Sequence, residues 1–131
     1  MVPRIRSTGK RVTTRRAYEP PEASDGYRVL VDRAWPRGDT HEAIRMDAWL
    51  KELAPSSDSR KWFGHQAARW EAFRKRYREE LAGEERLPML ADLVARARSG
   101  TVTLVYGARD REHNNAEVIR ELIEERLRSR T

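Results

Sequence analysis

The 131-residue chain has no cysteine, which excludes disulfide frameworks, thiolate metal sites and a cysteine nucleophile. Long apolar runs are also missing: no stretch approaches about 18 consecutive apolar residues, so no membrane-crossing helix is expected. The opening residues Met1-Val2-Pro3-Arg4-Ile5-Arg6 lack the apolar core of a signal peptide, and the expectation is a soluble cytoplasmic protein with no membrane partner. Gly-x-Gly-x-x-Gly, a phosphate-loop lysine motif and a Gly-x-Ser-x-Gly elbow are all absent. Dinucleotide, nucleoside-triphosphate and α/β-hydrolase readings therefore lose their usual anchors, and no cofactor is expected. Histidine is sparse: His41, His65 and His113 fit no zinc spacing, and without cysteine a metal site would need Asp or Glu to complete it, so no metal is expected.

What is present in excess is positive charge, with a net of +6. Arg4, Arg6, Lys10, Arg11, Arg15 and Arg16 fall within residues 1 to 18, which hold no acid, so 21 of the 27 basic side chains remain to face 21 acidic ones. The body of the chain is formally neutral. Residues 1–11 read as a flexible basic N-terminal arm, either a phosphate-tracking element or a solvated terminus. Residues 12–131 read as a single domain, long enough to bury a core without covalent staples.

Along that domain, Val12 to Tyr18 reads as an edge strand that Glu19-Pro20-Pro21-Glu22 stops. Tyr27-Arg28-Val29-Leu30-Val31-Asp32 is a β-branched run turning polar at its end, the pattern of a buried strand. Gly38 and the Asp39/Glu42 pair at capping-box spacing predict a helix carrying Met46, Trp49, Leu50 and Leu53 on one stripe, ended by Pro55. Ser56-Ser57-Asp58 caps a short helical turn that Gly64 closes. Trp70, Phe73, Tyr77 and Leu81, then Leu87, Leu90, Val94 and Ala97, mark two amphipathic helices. Thr101 to Tyr106 is the second confident strand, and Ala116, Ile119, Ile123 and Leu127 mark a last helix with Asp110 as its N-cap.

Strands separated by helices pair most economically in parallel through a crossover. The predicted fold is a small Rossmann-like three-layer α/β domain, with a short, mostly parallel sheet flanked by amphipathic helices. In open α/β sheets, ligands sit beyond the carboxyl ends of the strands. Asp32-Arg33 and Arg109-Asp110 would emerge at one such edge.

Several residues there have chemistry to offer. Asp32 is either paired with a guanidinium or available as a base or ligand-binding group. Arg33, Arg37, Arg60 and Arg109 present planar forks suited to phosphate or carboxylate, although Arg33 or Arg109 could hold Asp32 or Asp110 instead. Asp110, His113 and Asn114 lie at a helix start that favours anions. His65 and His113 are candidate acids or bases. Trp35 and Trp62, in basic contexts, either stack on a base or an arginine or pack over the sheet edge.

The stretches Arg28 to Gly38, Asp47 to Ser56, Arg60-Lys61-Trp62-Phe63-Gly64-His65 and Ala108 to Asn114 together resemble the YeaO-like family, domain-of-unknown-function family 488, in matching order from about Val12 to the last helix. The resemblance implies a compact α/β domain. Its motifs coincide with Asp32, Arg33, Trp35, Arg37, Arg60, Trp62, His65, Arg109, Asp110, His113 and Asn114. Two positions depart from the family pattern: Ala34 stands where leucine is usual, and Asn115 where histidine is usual. The second departure weakens any mechanism that needs paired histidines at the helix start.

Three functions compete. The first is a small enzyme or ligand-binding protein for an anionic, phosphate- or nucleotide-like molecule. It would be held by Arg33, Arg37, Arg60 and Arg109, with Asp32 or His113 as general base and cofactor-independent hydrolysis as the reaction if there is one. The second is a nucleic-acid module using the basic arm with Trp35 or Trp62. The third is a structural or partner-interaction domain in which the Arg and Asp residues are ion pairs anchoring loops.

Overall fold

A computed structural model of the chain describes residues 11–38 and 44–129. The expected arm therefore lies outside the described residues up to Lys10, as do Asp39, His41 and Glu42. Four strands form one sheet: β1 (Val12–Arg16), β2 (Tyr27–Leu30), β3 (Ala48–Trp49) and β4 (Val102–Tyr106). Their order is β1-β4-β2-β3 and every pairing is parallel, with Leu104 opposite both Thr14 and Val29. The α/β fold with a parallel sheet is thus as expected, with β1 at an edge. β4 is buried along its whole length between β1 and β2, the setting in which a strand reads as an unbroken β-rich run.

The helices are α1 (Ser57–Phe63), α2 (Trp70–Leu81), α3 (Leu87–Ser99) and α4 (Asn115–Ser129). Ser56 caps α1 by accepting the Ser59 N–H at 3.1 Å, and Gly64 closes it in the left-handed region at φ 53°. Val29, Val31, Val102, Leu104 and Tyr106 form the main core with Phe63, Phe73, Tyr77, Leu81, Leu90, Leu93, Ile119 and Ile123. This follows from the two periods: alternate strand residues share a face, and helix positions three or four apart share a stripe. Among the described residues no helix is long and apolar enough to cross a membrane.

The other sheet face, with Ala17, Leu30 and Val105, is covered by Trp35, Met46 and Trp49. Beside it, Arg28 is buried with Asp25 at 2.6 Å, and its guanidinium also donates to the carbonyls of Ile44 and Arg45. Here the expected helix through Met46 to Leu53 is corrected: the segment forms β3 and then a single 3-10 turn over Lys51–Leu53. Its N–H groups are committed elsewhere, Asp47 to the Arg28 carbonyl at 2.8 Å and Leu50 to that of Leu30 at 2.9 Å. Arg45, in the left-handed region at φ 48°, also breaks a helical path. Backbone hydrogen bonds are available either way, so burial decides. The strand lets Met46 and Trp49 cover one face of the sheet while Leu53 reaches the core on the other.

Candidate functional site

Parallel pairing brings the carboxyl ends of β2 and β4 side by side, so Asp32 meets Gly107 across the sheet. The Asp32 Oδ2 accepts the Gly107 N–H at 2.8 Å, and its Oδ1 accepts from Asn115 Nδ2 at 3.0 Å. A Cβ on Gly107 would lie 3.2 Å from Oδ2, so glycine is what lets the carboxylate sit against the backbone. Asn115 Nδ2 also donates to the Val31 carbonyl at 3.0 Å, and Trp49 Nε1 donates to that of Asp32 at 2.8 Å. Both sides of the aspartate are thereby fixed. Burial raises its pKa above the ordinary aspartate value, opposed by the hydrogen bonds from Gly107 and Asn115 and by the nearby His65 and Arg60.

Asp32 lies in the wall of a cleft of about 700 Å³ that is built from three directions. The loop after β2 supplies Arg33, Trp35 and Arg37; α1 and its C-terminal turn supply Arg60, Phe63 and His65; the turn after β4 and the start of α4 supply Gly107, His113, Asn114 and Asn115. Trp35 is set edge-on against Trp49 with ring centroids 5.4 Å apart. His65 has positive φ at 59° just past the α1 cap, which carries its ring round toward Phe63, at a centroid distance of 6.0 Å. Among the described residues no carboxylate lies within ion-pair distance of Arg33, Arg37 or Arg60, whereas Arg28, Arg74, Arg78 and Arg120 all have one. Of the two roles open to Asp32, pairing with a guanidinium is not the one that satisfies it; Gly107 and Asn115 do.

Eight of the expected site residues therefore line one cleft: Asp32, Arg33, Trp35, Arg37, Arg60, His65, His113 and Asn114. Trp62, Arg109 and Asp110 do not. Trp62 lies on the outer side of α1 with the guanidinium groups of Arg69 and Arg76 at 5.3 and 5.5 Å from its ring. Asp110 accepts the N–H groups of Glu112 and His113 and engages His113 Nδ1 at 2.9 Å. The Glu112 N–H, foremost, and His113 hold its pKa low. The cap of α4 is a correction: Asn114, not Asp110, accepts the Glu117 N–H at 3.0 Å, while its Nδ2 donates to the Asp110 carbonyl. Asn114 is buried and occupied by that task.

Three contributors are not among the expected site residues, although Asn115 stands out as a departure from the family pattern. Asn115 acts on Asp32 across 83 residues of chain. Gly107 matters because of what approaches it. Tyr77 reads as helix core, yet its fully buried hydroxyl donates to the Leu53 carbonyl; burial first, then Asp32, pushes its pKa well up, with Asn115 beside it. Among the described residues no group of three or more His, Asp or Glu side chains is arranged to hold a metal ion.

Comparison with known proteins places this geometry in a family. A family model described as the inactive DUF488-N3 subclade matches residues 11–131. The uncharacterized protein YeaO of Escherichia coli strain K12 is 40% identical over 109 residues, covering 82% of this chain and 92% of that protein. The uncharacterized protein Rv3073c of Mycobacterium tuberculosis strain H37Rv is 39% identical over 113 residues, covering 86% of this chain and 93% of its own. No solved structure gives a significant match. The chain belongs to the YeaO-like DUF488 family, in the subclade whose description is inactive DUF488-N3.

Proposed function

We propose that the cleft binds a small anionic ligand carrying a phosphate or a similar oxyanion, and that the protein works as a ligand-binding domain. The observation that carries this reading is the charge arrangement: three guanidinium groups and one carboxylate line one cleft, and among the described residues none of the three has a carboxylate within ion-pair distance, while Asp32 in the same wall is held by neutral donors. Arg33, Arg37 and Arg60 come from two directions, as a clamp on a tetrahedral oxyanion requires, and a planar guanidinium fork can bind two oxygens at once. The body of the chain is formally neutral, so this is a local concentration of charge and not part of a general basic surface.

Binding without turnover fits better than hydrolysis. The word "inactive" in the subclade's description points the same way. Thermal shift against phosphate, pyrophosphate, sugar phosphates and nucleotides tests the reading. A bound ligand at about 100 times its Kd adds about 2.7 kcal/mol to the folded state, a readily measured rise in Tm. The rise is expected in the wild type and diminished in Arg60→Ala. No ligand that stabilises the wild type more than Arg60→Ala would sink the proposal.

A further inference from the structure

The anion site contains one group that an anion cannot satisfy. Asp32 lines the cleft, yet each of its oxygens is held by a single neutral donor, Gly107 N–H on Oδ2 at 2.8 Å and Asn115 Nδ2 on Oδ1 at 3.0 Å. An ionised carboxylate accepts at about four positions, so one remains on each oxygen. The carboxylate is preorganised: the backbone on either side is fastened by the bonds to the Val31 and Asp32 carbonyls, and the carboxylate rests against Gly107. A cation is a poor complement, because Arg33, Arg37 and Arg60 line the same space and repel it. A pair of neutral donors is the good one.

We propose that Asp32 sets the specificity of the cleft by accepting two adjacent neutral donors from the same ligand whose anion the arginines hold. This rests on the anion-binding reading above and narrows it to phosphorylated molecules with a paired-donor edge. Two chemistries supply such an edge: the N–H and NH2 of a guanine-type ring, and a vicinal diol of a sugar. Trp35 and Phe63 both lie in the cleft wall, which gives it aromatic character. A space of about 700 Å³ lies within the range of sites that enclose a ligand of nucleotide size. The elevated pKa of Asp32 is the mark of a carboxylate short of compensating contacts, which a donor pair would supply.

The test is calorimetric titration of the full chain with pyrophosphate and two matched pairs. Deoxyguanosine monophosphate against deoxyadenosine monophosphate isolates the ring edge. Ribose 5-phosphate against 2-deoxyribose 5-phosphate isolates the diol. One pair is expected to differ by about tenfold or more in Kd, as hydrogen bonds to a charged group allow, and which pair differs identifies the source. Asp32→Asn should erase that difference, while pyrophosphate binds more tightly because a negative charge leaves the cleft. Pyrophosphate binding with neither pair resolved would overturn the role of Asp32 and leave the anion site standing, as would an Asp32→Asn variant that still discriminates. Failure of every ligand, pyrophosphate included, would overturn the anion site itself. If Asp32→Asn does not fold, Asp32→Glu, which moves the carboxylate by one methylene, takes its place: loss of the discrimination is expected, and discrimination equal to that of the wild type would overturn the role of Asp32.

Discussion

Two aspartates flank β2 and are treated in opposite ways. Asp25, before its amino end, is buried with Oδ2 2.6 Å from Arg28 Nη1 and accepting the Glu22 N–H, while Arg28 spends its other donors on the Ile44 and Arg45 carbonyls. Asp32, beyond the carboxyl end, has only neutral hydrogen-bond donors among the described residues, and Arg33, Arg37 and Arg60, which share its cleft, have no described carboxylate within ion-pair distance. The first arrangement is closed: opposite charges cancel, and the result is a fastened loop. The second is open: three guanidinium groups share a cleft with one carboxylate, and this is the charge that the proposed anion would meet. Charge that is internally cancelled marks architecture, and charge that is left unbalanced in a cleft is what the proposed binding function rests on.

Breaking the closed end should have the largest effect. Asp25→Ala leaves the Arg28 guanidinium buried without its counter-charge and is expected to lower unfolding stability by about 3–5 kcal/mol in urea titrations followed by circular dichroism. Adding Arg28→Met to it should recover much of the loss. A loss under about 1 kcal/mol for Asp25→Ala would equate this pair with a solvated surface bridge.

At the open end, Asn115→Ala removes a donor to both Asp32 and the Val31 carbonyl. It should cost about 1–3 kcal/mol in the same titration, the range for leaving a buried acceptor unsatisfied. An unchanged midpoint would show that water replaces Asn115 freely and that the aspartate is not held as described.

The pH dependence separates Asp32 from carboxylates of the closed kind. Its folded pKa is raised above the ordinary 3.8, so its favourable contribution is full below that value and is lost as pH rises through the folded pKa. The stability of the wild type relative to Asp32→Asn should therefore fall as pH is raised from about 3.8 into the upper carboxylate range. Glu80 behaves in reverse. Burial raises its pKa, but hydrogen bonds from Ser59 and Ser56 more than offset this and leave it below 4.5, so its contribution is present above that value and lost on acidification. Equilibrium unfolding of Asp32→Asn and Glu80→Gln across this range checks both signs.

The smallest effect is expected at Trp62, outside both ends. Losing its contacts with Arg69 and Arg76 should cost about 0.5–1 kcal/mol. Trp62→Ala should leave pyrophosphate affinity as it is, and a weakened affinity would extend the site over the outer side of α1.

The contrast between the two ends also marks how far the sequence could be read. Tyr27 to Leu30, Val102 to Tyr106 and the helices of Trp70 and Ile119 are legible because their periods of two and 3.6 reflect burial on one side. The meeting of Asp32 with the segment after β4 follows from parallel pairing. Met46 to Leu53 is misread because its spacing suits a helix, whereas the actual stripe is divided between two faces of a sheet whose partner strand is remote in sequence. Asp110 and Asn114 are both good caps, and only the path of the turn chooses between them. The clamp of Asn115 and Gly107 on Asp32 is invisible for the same reason as the Arg28 anchor: each is a hydrogen bond between segments that only the assembled sheet brings together.

The open end can be probed most directly by calorimetric titration of pyrophosphate into the wild type and into an Arg33→Ala/Arg60→Ala variant, at low and at raised salt. Saturable binding by the wild type, weakened at least about tenfold in the variant and reduced by salt, is the expected result. Equal binding by the two proteins, or none by either, would contradict the assignment of the cleft as an anion site.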